Sequence, residues 1–108
     1  MVEYKEKLNN VFGSLSDQTR RDILKRLSKG SMNVGEIAKH YKLTFAAVSK
    51  HIQVLEKARL IIKKRRGKEQ IVSIYPHALV AAGKYIDMYK QLWENRLDSL
   101  DVYLQSIK

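Results

Sequence analysis

Asn33-Val34-Gly35-Glu36-Ile37-Ala38-Lys39-His40-Tyr41-Lys42-Leu43-Thr44-Phe45-Ala46-Ala47-Val48-Ser49-Lys50-His51-Ile52-Gln53-Val54-Leu55-Glu56-Lys57 carries two helical signals separated by a turn. Asn33 followed three residues later by Glu36 has the form of a capping box, an N-cap oxygen with a carboxylate that reaches back. It opens a short helix over about 34–41 that buries Ile37 and Ala38. Lys42-Leu43 reads as a tight turn, and Thr44 caps a second helix over about 45–57. In that helix Val48, Ile52 and Leu55 recur at helical spacing and define the buried side, with Ala47 beside them. Phe45, Ala46, Ser49, Lys50 and Gln53 fall on the opposite side. Two short helices joined in this way form a helix-turn-helix unit. Its second helix enters the major groove of duplex DNA with its N-terminal residues toward the base edges.

Downstream, Leu60-Ile61-Ile62 and the stretch Glu69 to Tyr75, with Ile71, Val72 and Ile74, carry strand signals. Between them lies Lys63-Lys64-Arg65-Arg66-Gly67-Lys68. Two strands around a cationic, glycine-containing tip predict a hairpin over 61–75. A basic hairpin directly after a recognition helix is a wing, and its side chains suit the phosphates that flank the groove.

Upstream, residues 2–12 read as a short helix with Tyr4, Leu8, Val11 and Phe12 on one side, broken by Gly13-Ser14. Ser16 is the expected N-cap of a helix from Asp17 to Ser28, with Ile23, Leu24 and Leu27 as its core stripe and Gly30 at its stop. At the other end, Ala78 to Ile107 reads as one long helix. Leu79, Ala82, Ile86, Tyr89, Trp93, Leu100, Tyr103 and Ile107 follow a three-four spacing along it. Arg96 interrupts that stripe and Leu97 partly compensates. A winged domain is too small to cover so long a helix, and a leftover apolar stripe predicts a partner surface. A second copy related by a two-fold axis is the simplest partner. The expected dimer interface joins Tyr4, Leu8, Val11 and Phe12 to Ile86, Tyr89, Trp93, Leu97, Leu100, Tyr103, Leu104 and Ile107. The expected fold is mainly α with a small β-hairpin, a single winged helix-turn-helix domain over residues 1–108 with five helices and a two-stranded wing.

Composition supports the same class. The chain has 108 residues, 44% hydrophobic and 30% charged, which fits one soluble globular domain. Its net charge of +10 is unevenly placed. Beyond Tyr75, Lys84, Lys90, Arg96 and Lys108 balance Asp87, Glu94, Asp98 and Asp101, whereas Glu56 is the lone acid between Lys39 and Lys68. A cationic centre of this kind implies a polyanion, and nucleic acid is the commonest one. No cysteine is present, so disulfides, thiolate metal sites and thiol switches are excluded. The opening Met1-Val2-Glu3-Tyr4-Lys5-Glu6-Lys7 lacks the apolar run of a signal peptide, and no run is long enough to span a bilayer; the expectation is a cytoplasmic protein.

Three segments together resemble the ArsR/SmtB-type winged-helix repressors: Leu15-Ser16-Asp17-Gln18-Thr19-Arg20-Arg21-Asp22-Ile23-Leu24, Val34-Gly35-Glu36-Ile37-Ala38, and Ala47-Val48-Ser49-Lys50-His51-Ile52-Gln53-Val54-Leu55-Glu56-Lys57-Ala58. The likeness is close over about residues 10–75, and the ending from Trp93 to Leu104 is similar to a cysteine-free branch of that family. The resemblance implies a homodimer held by its terminal helices, an operator of two half-sites, and a repressor that leaves DNA when a signal arrives. Three positions depart from the family pattern. Gln18 replaces the usual proline before Thr19, Phe45 stands where glutamine is frequent, and Arg59 stands where most members end the recognition helix with glycine. At Arg59 the expectation is a positive φ or a reshaped cap, with a phosphate contact as compensation.

The candidate DNA-contacting residues are therefore Thr44, Phe45, Ala46, Ser49, Lys50, His51 and Gln53 on the helix, Arg59 at its end, and Lys63, Lys64, Arg65, Arg66 and Lys68 on the wing. Thr44 also serves as a cap, and His51 suits either the DNA backbone or core packing. For Arg20 and Arg21 the expectation is an ion pair with Asp17 or Asp22. No metal or other cofactor is expected. The metal-sensing thiolate positions near Asn33 to Glu36 hold no cysteine, the C-terminal helix holds no histidine, and His40, His51 and His77 share no ligand spacing. No motif identifies an inducer, and no phosphate loop or nucleophile setting suggests an enzyme. A sequence-indifferent architectural DNA-binding protein, or a winged-helix protein-interaction module, fits the same features as an alternative.

Overall fold

A computed structural model describes residues 2–107, with side chains from residue 5 onward. The elements run α1 (Val2–Leu15), α2 (Gln18–Leu27), β1 (Met32–Asn33), α3 (Val34–Ala38), α4 (Phe45–Lys57), β2 (Ile61–Arg66), β3 (Glu69–Ile74) and α5 (His77–Ser106). Five helices and a small antiparallel sheet make the expected winged helix-turn-helix.

The sheet has one strand more than the sequence suggested. Its order is β1-β3-β2, with Met32 opposite Val72 and Asn33 opposite Ile71. Two residues give no readable alternation, so β1 is invisible to a periodicity argument. Asn33 both ends β1 and caps α3. Its carboxamide oxygen accepts from the Glu36 N–H at 2.7 Å, and the Glu36 carboxylate accepts from the Asn33 N–H at 3.4 Å. The hairpin between β2 and β3 turns through Gly67-Lys68, with positive φ only at Gly67 (65°), as a type II′ turn requires.

Two helix limits differ from expectation. α1 continues through Gly13-Ser14 to Leu15 because its end is capped from outside. Arg20 Nε donates to the Ser14 carbonyl at 2.7 Å, Arg20 Nη2 to Gly13 at 3.1 Å, and Arg21 Nη1 to Leu15 at 2.7 Å. Guanidinium groups thus satisfy carbonyls that a helix terminus leaves orphaned, where a positive charge also suits the helix dipole. The ion pair expected of Arg20 or Arg21 gives way to this capping role. Ser16 donates to the Gly13 carbonyl, and the N-cap of α2 is Asp17, which accepts from the Arg20 N–H at 3.0 Å. The second difference is α3, which ends at Ala38, so a longer connection than Lys42-Leu43 leads to α4. Turn bonds from the His40 N–H to Ile37 and from the Tyr41 N–H to Ala38 close it.

One core lies among α1, α2, α3, α4 and the sheet. Val48, Ile52 and Leu55 of α4 meet Ile23, Leu27, Ile37 and Val72 there. Leu8 and Val11 also belong to it, at 9% and 2% exposure. Both were expected at a dimer interface, and that assignment is corrected: each faces inward, into the core of its own chain. Tyr4 lies outside the residues whose side chains are described.

α5 is different in kind. Only Ala82 on it is buried, and every residue from Ile86 to Ile107 is exposed. The radius of gyration is 19.1 Å and the long axis 70 Å. A compact domain of this length would have a radius near ~13 Å. The excess is the rod of α5 standing clear of the winged body.

α4 ends in a Schellman motif. The Leu60 N–H donates to the Leu55 carbonyl at 3.0 Å and the Arg59 N–H to the Glu56 carbonyl at 2.9 Å. The residue that must turn left-handed is Arg59, at φ 61°. Of the two expectations for this position, positive φ is the one found. An L-residue with a Cβ in this conformation costs about 1 kcal/mol relative to glycine. Arg59→Gly is therefore expected to raise the unfolding free energy by about 1 kcal/mol in urea titration; an unchanged or lower midpoint would show that the Arg59 side chain offsets the strain.

Candidate nucleic-acid interface

The presentation of α4 follows from its buried stripe. With Val48, Ile52 and Leu55 at or below 1% exposure, the helix has only one orientation on the body. Phe45, Ala46, Lys50 and Gln53 are then exposed and Ser49 half-buried. The Thr44 hydroxyl accepts from the Ala47 N–H at 3.1 Å, which fixes the first turn and commits that oxygen to capping.

Phe45, Ser49 and Gln53 are spaced by four and share one side of the helix. They line a groove of about 470 Å³ whose far wall is the wing, through Lys63, Lys68 and Gln70, with Asn33 and Gly35 at its end. Lys64, Arg65, Arg66 and Lys68 are exposed on the wing. Arg65 Nε donates to the Gly67 carbonyl at 3.3 Å, which steadies the tip. Lys63 is half-buried and its ammonium lies 3.4 Å from the Glu56 carboxylate, tying β2 to α4. Of the candidate residues, the structure thus brings Phe45, Ser49 and Gln53 of the helix and Lys63 and Lys68 of the wing together on two walls of one groove, while Lys50, Lys64, Arg65 and Arg66 are exposed outside that lining.

His51 is the exception. Its Nδ1 is 3.3 Å from Arg20 Nη1 and 3.8 Å from Asp17 Oδ2, and its side chain is largely covered. It ties α4 to α2, the packing role that the sequence left open beside a place on the DNA face. Asp17 itself is held below the usual carboxylate value of 3.8, chiefly by the Arg20 N–H it accepts and further by the charges of His51 and Arg20.

Sequence reasoning missed a second clasp. Tyr41, in the connection before α4, donates its hydroxyl to Asp22 of α2 at 2.5 Å. Arg26 Nε donates to the same carboxylate at 3.0 Å, and Arg26 lies over the Tyr41 ring at 5.6 Å. Arg26 Nη1 also approaches His40 Nδ1 at 3.1 Å. Asp22 and Arg26 stand four apart on one helix, a legible pair; nothing in the sequence pointed to Tyr41 as their partner. Burial and its bond to Asp22 push the Tyr41 hydroxyl up to about 12, while the Tyr41 and Arg26 donors hold Asp22 below 3.8.

On α5, Ile86, Tyr89, Trp93, Leu97, Leu100, Tyr103, Leu104 and Ile107 are all exposed, Trp93 at 64%. Met88, Leu92 and Val102 widen this surface beyond the expected stripe. Phe12 packs on Tyr85 with ring centroids 6.1 Å apart, and so joins α1 to the base of α5. Among the described residues no cluster of three His, Asp or Glu side chains is poised for a metal, and no helix is long and apolar enough to cross a membrane.

The model of the bacterial regulatory proteins of the arsR family matches residues 17–63, from the cap of α2 into β2. The HTH-type transcriptional regulator Rv2034 of Mycobacterium tuberculosis is 36% identical over 81 residues, covering 75% of this chain and 76% of that protein. The chain belongs to the ArsR family. The transcriptional repressor SdpR of Bacillus subtilis is 41% identical over 61 residues, 56% of this chain and 68% of SdpR. A crystal structure of an ArsR-family transcriptional regulator superposes with a TM-score of 0.80 at 34% identity, covering 84% of this chain and 94% of that one. As an ArsR-family member the protein is a transcriptional regulator with a winged helix-turn-helix DNA-binding domain.

The Asp22–Tyr41 clasp sets the approach to α4, and its titration can be read. A hydroxyl whose folded value is raised stabilises the fold fully below its ordinary value of 10.0, and that contribution is lost as pH rises toward about 12. Tyr41→Phe is expected to lower stability at pH 8 by roughly 1–2 kcal/mol. In urea titrations the gap to the parent protein narrows as pH rises above 10.0; a gap independent of pH would contradict the clasp.

Proposed function

We propose that the protein is a homodimeric cytoplasmic repressor that reads the major groove with α4 and holds flanking phosphates with its wing. The observation that carries this reading is the pairing of an outward α4 face with an exposed basic hairpin across one groove. In this reading Phe45, Ala46, Ser49, Lys50 and Gln53 face the base edges, and Lys64, Arg65, Arg66 and Lys68 meet phosphates. Thr44 caps the helix beside the backbone, Lys63 braces the wing through Glu56, and Arg59 lies at the far end of α4. Repression is supported by the likeness to SdpR.

Pairing is supported by the bare surface of α5. A monomer would leave Trp93, Leu97, Leu100 and Tyr103 in water, whereas burying each would stabilise a two-fold contact by about 1.5–3 kcal/mol. Phe12 and the base of α5 extend that contact toward the winged body. Two bodies joined in this way would present two copies of α4 to half-sites about 10 base pairs apart, or a multiple.

Fluorescence anisotropy on a duplex selected from random DNA tests the reading. At physiological salt the protein is expected to prefer that duplex by well over tenfold. Preference below tenfold would favour an architectural protein that binds without regard to sequence. Replacing Lys50, Arg65 and Arg66 by alanine together should weaken binding and lower the slope of log affinity against log salt by about 0.9 for each phosphate no longer neutralised. Unchanged affinity would favour a protein-interaction module. In sedimentation, Trp93→Glu combined with Leu97→Glu should yield a folded monomer with much weaker operator binding.

A further inference from the structure

Phe45 is the first residue of α4 and is 60% exposed. No ring–ring contact among the described residues includes it. The Thr44 cap fixes its backbone, so the ring projects from a defined point at the mouth of the groove. Ser49 and Gln53 continue the same helix side and can exchange hydrogen bonds with base edges; Phe45 cannot.

In the major groove, most of what a base pair offers is a donor or an acceptor. A phenyl ring set against guanine O6 and N7, or against the cytosine amino group, would strip water from them and return no hydrogen bond. The apolar feature on that surface is the methyl group on C5 of thymine. A 5-methylcytosine carries the same methyl on the same ring carbon.

We infer that Phe45 makes the protein a reader of a pyrimidine 5-methyl group, so that at one position in each half-site the methyl itself contributes to recognition, beside the hydrogen-bonding pattern of the base. The inference rests on α4 entering the major groove as proposed above. The ligand is a methyl group supplied by thymine or by a C5-methylated cytosine, and binding at that position becomes sensitive to cytosine methylation.

The test uses the full chain and the duplex it selects from random DNA. Each thymine of a half-site is replaced in turn by uracil, which removes only the methyl. At the Phe45 position the loss expected is about fourfold per methyl. A C·G pair there weakens binding further, and 5-methylcytosine opposite guanine recovers part of the loss. Phe45→Ala binds the thymine and uracil duplexes equally, whereas Phe45→Leu, which keeps an apolar tip, retains part of the discrimination. Circular dichroism confirms that both variants are folded. A clear selected motif in which no uracil replacement matters, or a Phe45→Ala variant that still distinguishes thymine from uracil, overturns the inference alone. Selection that returns no motif defeats the sequence-specific reading itself, and this inference with it.

Discussion

Val48, Ile52 and Leu55 lock one side of α4 into the core, and the other properties of the molecule follow from that lock. A helix cannot bury one stripe without presenting the opposite one. Each of these side chains contributes about 1.5–3 kcal/mol by burial. Rotating α4 by even one residue would forfeit most of that and place Ser49 or Gln53 in the core without partners. The outward direction of Phe45, Lys50 and Gln53 is therefore a consequence of core packing, fixed before any DNA arrives.

The same helix is held from two further directions by polar contacts. Arg20 does three things at once: it caps the end of α1, helps lower Asp17, and meets His51 on α4. Asp22 and Arg26 hold Tyr41 at the entry to α4. Glu56 and Lys63 join its far end to the wing. α2 carries no base-facing residue in this account, yet it and its N-cap supply Asp17, Arg20, Asp22 and Arg26, which set where α4 sits.

The sequence made the fold legible where one period dominated. Val48–Ile52–Leu55, Ile23–Leu24–Leu27, the Asn33–Glu36 capping box, the Thr44 cap and the basic hairpin could all be read from spacing and residue type. What escaped it depended on distant partners. The run of α1 through Gly13 is secured by arginines that come later in the chain, the shortening of α3 accompanies a tyrosine bound to another helix, and β1 is too short to show alternation. Leu8 and Val11 share an apolar side with Phe12, and spacing alone could not say that two of them turn inward while the third borders α5. At the candidate site the exposed residues of α4 and the wing were legible from amphipathicity and charge. His51 was not, because its surroundings are set by α2.

Backbone chemical-shift mapping on titration with a selected duplex addresses the central claim most directly. The account predicts that amides of Phe45 to Gln53 and of Lys64 to Lys68 move, while those of Leu92 to Tyr103 on α5 stay where they are in the free protein. Shifts concentrated on α5, with α4 unmoved, would contradict it.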